Sequence, residues 1–149
     1  IFRTTAQLAA QMDFELHLAS PDLEDLASLE GLNPTTHQPM TTPSAAIDLP
    51  IDAYSAVLLV FHDHEWEQEI LMQAARQNPF FIGALGSRRT HAMRVERLSH
   101  AGLSAAQSAQ IHGPIGLVPS LRNASLIAVS ALAEIIAKLP PSQIRLSSS

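Results

Sequence analysis

Apolar and polar positions along this chain follow two periods, one typical of strands and the other typical of helices. Residues 56–61 form a continuous apolar run, which predicts a strand covered on both faces, and residues 80–85 form another. Between them, residues 65–77 repeat apolar positions at helical spacing. Further helices are predicted at residues 90–100 and 124–138, the last apolar on nearly every side and therefore expected to be buried. Strands that alternate with helices in this way predict parallel β–α–β units.

Shorter patterns complete this arrangement on either side of those segments. We predict helices at residues 4–12 and 23–29, and short strands at residues 14–19, at 37–40 and within 111–118. Ser104 and Gln107 have the spacing of a capping box at the start of a short helix, and Asn123 is placed to cap the last helix. The predicted fold class is therefore α/β, with a mostly parallel sheet.

The length and composition allow one compact domain and exclude several classes of protein. The chain has 149 residues, of which 46% are hydrophobic and 15% are charged. We expect residues 1–139 to form the domain and residues 140–149 to be a flexible, serine-rich tail. A net charge of −5 disfavours nucleic acid as a partner, and no apolar run approaches the ~18 residues of a membrane span. The absence of cysteine removes disulfides and thiolate metal sites, and it fits a cytoplasmic protein.

A glycine-containing turn with two arginines is the feature that most strongly indicates a binding site. Gly83 and Gly86 lie at the end of an apolar run, and Ser87, Arg88 and Arg89 follow where a helix can begin. Glycine lets the backbone approach a ligand, a helix N-terminus offers free N–H donors, and each arginine can bind two oxygens. We expect the arginines to face a cleft that binds a phosphate, pyrophosphate or carboxylate. The alternative is that Ser87 only caps the helix and the arginines lie in solvent.

Other polar clusters follow predicted strands and should meet this turn at one edge of the sheet, where ligands bind in open α/β folds. They are Asp22 after the first strand, His62, Asp63 and His64 after the apolar run at 56–61, and the segment from Gly113 to Gly116. The histidines and Asp63 also carry the donor types of a metal site, but they sit at a turn. We therefore expect Asp63 or His64 to cap the next helix, with a metal site as the less favoured alternative.

Two motifs of common enzyme folds are absent from the sequence. A dinucleotide-binding fold places a glycine-rich turn after its first strand, but Ile1–Phe2 is followed by residues 3–6 without a glycine. We expect that turn to be missing or truncated. Asp22 nevertheless stands where an acidic residue often contacts a ribose hydroxyl. Gly-x-Ser-x-Gly is also absent, so nucleophilic catalysis has little support, and His91 and His100 are expected to be surface histidines.

Several motifs in the second half of the chain resemble those of one protein family. The segment Phe81–His91 resembles the signature of the XdhC/CoxI family, the maturation factors of xanthine and carbon monoxide dehydrogenases. So do His62–His64 after an apolar strand, Ile111–Leu117, and the closing helix over Ala128–Ala137. The resemblance covers roughly residues 54–138 in good order. It departs from the family pattern at Val118–Pro119, where an acidic residue is expected.

The resemblance implies a Rossmann-like three-layer domain with a mostly parallel sheet, which binds the molybdenum cofactor as molybdopterin or its dinucleotide form. Such a protein protects the cofactor and delivers it to a molybdenum hydroxylase of the xanthine dehydrogenase type. A cofactor sulfurase is implied as a second partner, and family members suggest a homodimer. No covalent catalysis is needed, so we expect a cofactor chaperone rather than an enzyme. The expected cofactor-binding residues are His62, Asp63, His64, Gly83, Gly86, Ser87, Arg88, Arg89, Gly113, Gly116 and Asp22.

Two functions from other classes stay open at the level of sequence. One is an oxidoreductase that binds NAD(P), and the absence of a Gly-x-Gly turn counts against it. The other is a protein–protein adaptor that has lost its ligand. Retention of a cofactor by the purified protein would separate the proposed carrier from the adaptor.

Overall fold

The computed structural model describes residues 1–32, 35–44 and 47–141 of the protein. In chain order, its elements are α1 (Phe2–Gln11), β1 (Leu16–Ser20), α2 (Leu23–Ser28), β2 (Thr35–Pro39), β3 (Ala56–Leu59), α3 (Gln68–Gln77), β4 (Phe81–Ala84), α4 (Arg88–His100), α5 (Ala105–Ser108), β5 (Ile111–His112) and α6 (Ala124–Ala137). A 3₁₀ turn, His64–Trp66, precedes α3. The order of strands and helices predicted from the hydrophobic periods is confirmed, although β5 is shorter than expected.

The strand pairs that the structure describes are all parallel, as the alternation of strands and helices predicts. β4 lies between β3 and β5, with Ile82 opposite Val57 on one side and Ile111 on the other. β1 and β2 pair in a separate two-stranded ladder. The predicted α/β class is thus confirmed, with the strands in two ladders. Because parallel strands end at the same edge, the loops after β3, β4 and β5 are neighbours.

The largest part of the core is built around β4, whose residues are all buried. Leu71 and Ala74 of α3 and Leu98 of α4 belong to the same buried cluster as Ile82 of this strand. Full burial of one branched apolar side chain stabilises the fold by about 1.5–3 kcal/mol. This packing fixes the starts of α3 and α4 relative to the sheet, and those starts carry the polar residues considered below.

The helix caps follow the local sequence closely. Asn123 accepts hydrogen bonds from the backbone N–H groups of Ser125 and Leu126, and Ser104 and Gln107 form the predicted capping box. Ser87 caps α4, which therefore begins at Arg88, two residues before the predicted start. Each such cap satisfies N–H groups that the helix itself cannot bond, and is worth about 1 kcal/mol.

The last helix differs from the prediction that it would be buried. Only one stripe of α6 is covered, including Ala128, Ala131 and Leu132. Leu126 and Val129 on another face are 54% and 52% exposed. The amino-acid composition of a helix shows how much apolar surface it carries, but the neighbouring elements decide how much of that surface is covered.

The sequence analysis also made predictions about the two ends of the chain. Phe2 begins α1 and is not the end of a strand, because the N–H of Thr5 already bonds the carbonyl of Ile1 at 2.9 Å. The expected flexible tail falls mainly on residues 142–149, which lie outside the described residues. Within the described ranges, no helix has the length and hydropathy needed to cross a membrane.

Candidate functional site

Backbone hydrogen bonds join the loops at the carboxyl ends of β3, β4 and β5. The N–H of Leu85 donates to the carbonyl of Leu59 at 2.8 Å, which ties the end of β4 to the end of β3. The N–H of Ile115 donates to the carbonyl of Ala84 at 3.2 Å, which ties in the loop after β5. The structure therefore brings together three of the four predicted clusters. The fourth, Asp22, follows β1 of the other ladder.

The turn between β4 and α4 requires its glycine. Gly86 has φ +144°, and a Cβ atom there would lie 2.9 Å from Cγ2 of Thr90. The next residue, Ser87, accepts the N–H of Thr90 at 3.0 Å and so caps α4. This sharp turn leaves bare backbone beside the start of the helix.

Arg88 and Arg89 occupy the first two positions of α4, and both are exposed. Their backbone N–H groups have no acceptor within the residues that the structure describes. Free N–H groups at a helix N-terminus attract anions, and the two guanidinium groups add positive charge. The serine cap and the solvent-exposed arginines of the alternative expectation are both present, and the binding of an anion here stays a prediction.

The cleft expected in front of these arginines is not one of the described cavities. A cavity of about 390 Å³ lies between α4 and α5, and one of about 240 Å³ lies beside the start of β4. Neither is lined by Arg88 or Arg89, although His91 lines the larger one. Because both arginines are exposed, an anion that they bind would be in contact with solvent.

The cluster after β3 divides into exposed and half-buried residues. His62 and Asp63 are exposed, and Asp63 accepts the N–H of Glu65 at 3.2 Å. Asp63 thus caps the 3₁₀ turn, whereas α3 begins only at Gln68 and has no side-chain cap. His64 is half-buried. Among the described residues, no three His, Asp or Glu side chains gather in a way that could hold a metal ion.

A buried ion pair lies next to this cluster, and the sequence motifs did not predict it. Glu67 and Arg94 are each 1% exposed, and Arg94 donates from Nε to Oε2 at 2.8 Å and from Nη2 to Oε1 at 3.1 Å. Arg94 lies on the apolar stripe of α4, four residues before Leu98. Glu67 directly precedes α3 and continues its apolar stripe, four residues before Leu71. A charged residue at a position of the apolar stripe is the sequence feature from which its burial could have been predicted.

The ion pair connects two of the loops. Nη2 of Arg94 also donates to the carbonyl of Leu85 at 2.6 Å, at the end of β4. On the other side, Nδ1 of His64 lies 2.8 Å from Oε1 of Glu67, in the segment after β3. Charged hydrogen bonds of this kind are short and directional. The pair therefore fixes the position of the His64 loop relative to the Gly86 turn.

His91 is not the surface histidine that we expected. Its Nδ1 lies 3.1 Å from Nη1 of Arg94, and a Cβ atom on Gly113 would lie 2.1 Å from the same nitrogen. A side chain at position 113 would therefore require the ring of His91 to move. Burial, and after it the charge of Arg94, lowers the pKa of His91 below its usual value.

The remaining predicted residues have roles in the fold itself. Gly83 is buried in β4, where the side chains of Ile115 and Phe81 fill the space that a Cβ atom would need. The N–H of Gly116 donates to Glu134 at 3.1 Å. Asp22 is exposed and caps α2. Contact of these residues with a cofactor stays a prediction.

The parallel strands, with helices between them and a polar edge at their carboxyl ends, define a domain of the Rossmann type. The family model described as the XdhC Rossmann domain matches residues 1–135, and the chain belongs to that family. This confirms the resemblance seen in the sequence motifs.

Similar proteins extend well beyond the length of this chain. The molybdenum cofactor insertion chaperone PaoD of Escherichia coli (strain K12) is 41% identical over 91 residues, which is 61% of this chain and 29% of that protein. The uncharacterized protein YqeB of the same organism is 29% identical over 141 residues, 90% of this chain and 25% of its own length. A crystal structure described as a xanthine dehydrogenase from Bacillus halodurans matches with a TM-score of 0.70 at 20% identity, over 99% of this chain and 41% of that one. This last likeness concerns the fold alone.

Proposed function

We propose that this protein binds the molybdenum cofactor and hands it to a molybdenum hydroxylase of the xanthine dehydrogenase type. The observation that carries the proposal is the similarity to PaoD, which is named a molybdenum cofactor insertion chaperone. Membership of the XdhC family supports it. The chain spans about a quarter of these relatives' lengths, so the complete activity of such a protein belongs to the proposal.

The start of α4 fits the anionic tail of such a cofactor. Gly86 leaves the backbone accessible, and the N–H groups of Arg88 and Arg89 are without acceptors within the described residues. The two guanidinium groups can each bind a pair of phosphate oxygens. In this proposal the arginines hold the tail, and Gly86 and Ser87 shape the turn beneath it.

The residues after β3 and β5 would form the other walls of the site. His62 to His64 lie beside the Gly86 turn because the ends of β3 and β4 are hydrogen-bonded. The loop from Gly113 to Gly116 packs against His91 on the other side. These groups orient and shield a ligand, while the redox chemistry of the cofactor serves the client enzyme. A cofactor sulfurase is the second partner in this proposal.

Substitution of both arginines tests the proposal. In the full-length protein, Arg88→Ala/Arg89→Ala should weaken binding of molybdopterin by about 1–3 kcal/mol for each charged hydrogen bond lost. Retention of molybdopterin after ultrafiltration measures the affinity, and reactivation of a cofactor-free hydroxylase measures delivery. Because both side chains are exposed, urea unfolding should change by no more than about 0.5 kcal/mol.

Arg97→Ala is the matched control, since Arg97 is an exposed arginine in the last turn of the same helix. It removes a charge of the same kind far from the helix start and should leave molybdopterin binding unchanged. Equal affinities of the wild type and the double variant would refute the assignment of the site. Tight binding of NAD(P) with no retention of molybdopterin would overturn the proposed function.

A further inference from the structure

The buried pair of Glu67 and Arg94 is poorly explained by stability alone. Each side chain is 1% exposed, and removal of two charges from water costs several kcal/mol per ion, at an order-of-magnitude level. Apolar residues of similar size commonly give equal stability at such positions. What an ion pair supplies, and apolar packing does not, is a fixed set of hydrogen-bond directions.

Those directions determine which nitrogen of His64 carries a proton. Arginine can only donate, and both oxygens of Glu67 accept from Arg94. The 2.8 Å contact between Oε1 of Glu67 and Nδ1 of His64 therefore requires a proton on Nδ1. In the neutral ring, Nε2 of His64 is left with its lone pair free.

The same ion pair places the proton of His91 on the other ring nitrogen. Its Nδ1 faces Nη1 of Arg94 at 3.1 Å, and that group can only donate. Nδ1 of His91 is therefore the acceptor, and the proton of the neutral ring is on Nε2. The two histidines beside one ion pair thus carry their protons on different nitrogens, which gives an internal comparison.

The free nitrogen of His64 lies at the edge of the proposed site. The side chain of His64 is 32% exposed, while the carboxylate that holds its Nδ1 is 2% exposed. Nε2 of His64 has no partner among the described residues and is not one of their buried atoms, so it is open to a ligand. A lone pair there accepts a hydrogen bond from a ligand N–H or O–H group, and it does not attract phosphate.

We propose that Glu67 and Arg94 are positioning residues that hold His64 in its Nδ1–H form, so that Nε2 accepts a hydrogen bond from an N–H or O–H group of the ligand. This rests on the proposed function for the identity of the ligand. In this proposal, His64 accepts a hydrogen bond from the neutral part of the ligand, and the start of α4 binds the anionic tail. The protonation of the two rings can be tested without any ligand.

Nitrogen NMR of the histidine rings, in full-length protein labelled at these nitrogens, tests the predicted protonation of the two rings. At alkaline pH, where the rings are neutral, His64 should show its proton on Nδ1 and His91 should show it on Nε2. His100, whose side chain is 81% exposed, should give signals averaged between the two forms. A proton on Nε2 of His64, or averaging like that of His100, would overturn the proposal.

Removal of the pair tests its positioning role. The variant Glu67→Leu/Arg94→Met replaces both charges with apolar groups, so no unpaired charge stays buried. The His64 signals should then become averaged, while the circular dichroism spectrum stays that of the wild type. If His64 kept a fixed Nδ1 proton in this folded variant, the ion pair would not be what positions it.

Binding of molybdopterin tests the recognition half. His64→Ala should lower the affinity about 3- to 10-fold, the effect of one neutral hydrogen bond. His64→Gln, which restores an acceptor oxygen, should recover most of that loss, and His100→Ala should have no effect. Unchanged affinity of His64→Ala, in a protein whose binding still depends on Arg88 and Arg89, would refute the role of His64 and leave the proposed function standing.

Discussion

The buried arginine offers the sharpest test of the energetics of this fold. Arg94→Met preserves much of the volume of the side chain but leaves the carboxylate of Glu67, 1% exposed, without its counter-charge. It also removes the donors to the carbonyl of Leu85 and to His91. An unpaired buried charge of this kind costs about 3–5 kcal/mol, a large part of the ~5–15 kcal/mol of a typical domain.

The double variant Glu67→Leu/Arg94→Met separates the cost of the unpaired charge from the cost of lost packing. It leaves no isolated charge, only the carbonyl of Leu85 and the imidazoles of His64 and His91 without their partners. We expect its free energy of unfolding to lie within about 1–3 kcal/mol of the wild-type value, and therefore to be higher than that of the single variant. The rescue of a destabilised protein by a second substitution is the specific signature of an ion pair.

Urea unfolding monitored by circular dichroism measures both values, provided that the dependence of the unfolding free energy on urea is the same in all variants. A cost below about 1 kcal/mol for Arg94→Met would contradict the burial and pairing of this side chain. A double variant no more stable than the single one would show that the unpaired carboxylate is not the cause of the loss.

Two further predictions concern residues beside the same site. Because the pKa of His91 is lowered in the folded protein, the unfolded chain binds its proton first, so folding stability should fall as the pH drops below about 6.5. The slope of the unfolding free energy against pH is at most about 1.4 kcal/mol per pH unit for this one group. In urea titrations, this contribution should be absent from His91→Gln and present in the control His100→Gln. Parallel curves for wild type and His91→Gln would refute the prediction. Gly86→Ala causes backbone strain of about 1–3 kcal/mol and also crowds Thr90. Gly102→Ala, at φ +103° with nothing near the new Cβ atom, causes backbone strain alone. Thermal or urea unfolding should therefore show a larger loss for Gly86→Ala, and equal losses would contradict the crowding expected at Thr90.

Local patterns predicted most of the secondary structure. The apolar runs became β3 and β4, and Asn123, Ser104 and Ser87 cap the helices that they precede. These features depend on residues within about one helical turn of each other, which the sequence displays directly. The predicted order of parallel units followed from the alternation of those elements.

The positions of the candidate site residues along the fold could also be predicted from the sequence, but their surroundings could not. The Gly86 turn and the two arginines at the start of α4 lie where the motif placed them, and the loops after β3 and β5 are their neighbours. The cleft in front of the arginines was expected from analogy with other sheets. Its presence depends on how distant segments pack, and no local pattern records that.

The sequence by itself determined the strands, the helices and the turn with its cations, because each depends on neighbours in the chain. The tertiary structure alone decided that α6 would keep an exposed apolar face and that His91 would pack against Gly113. It alone paired Glu67 with Arg94, which are 27 positions apart. Such contacts arise only when α3 and α4 pack on the same sheet, so the charge of each residue could be read from the sequence while its partner could not.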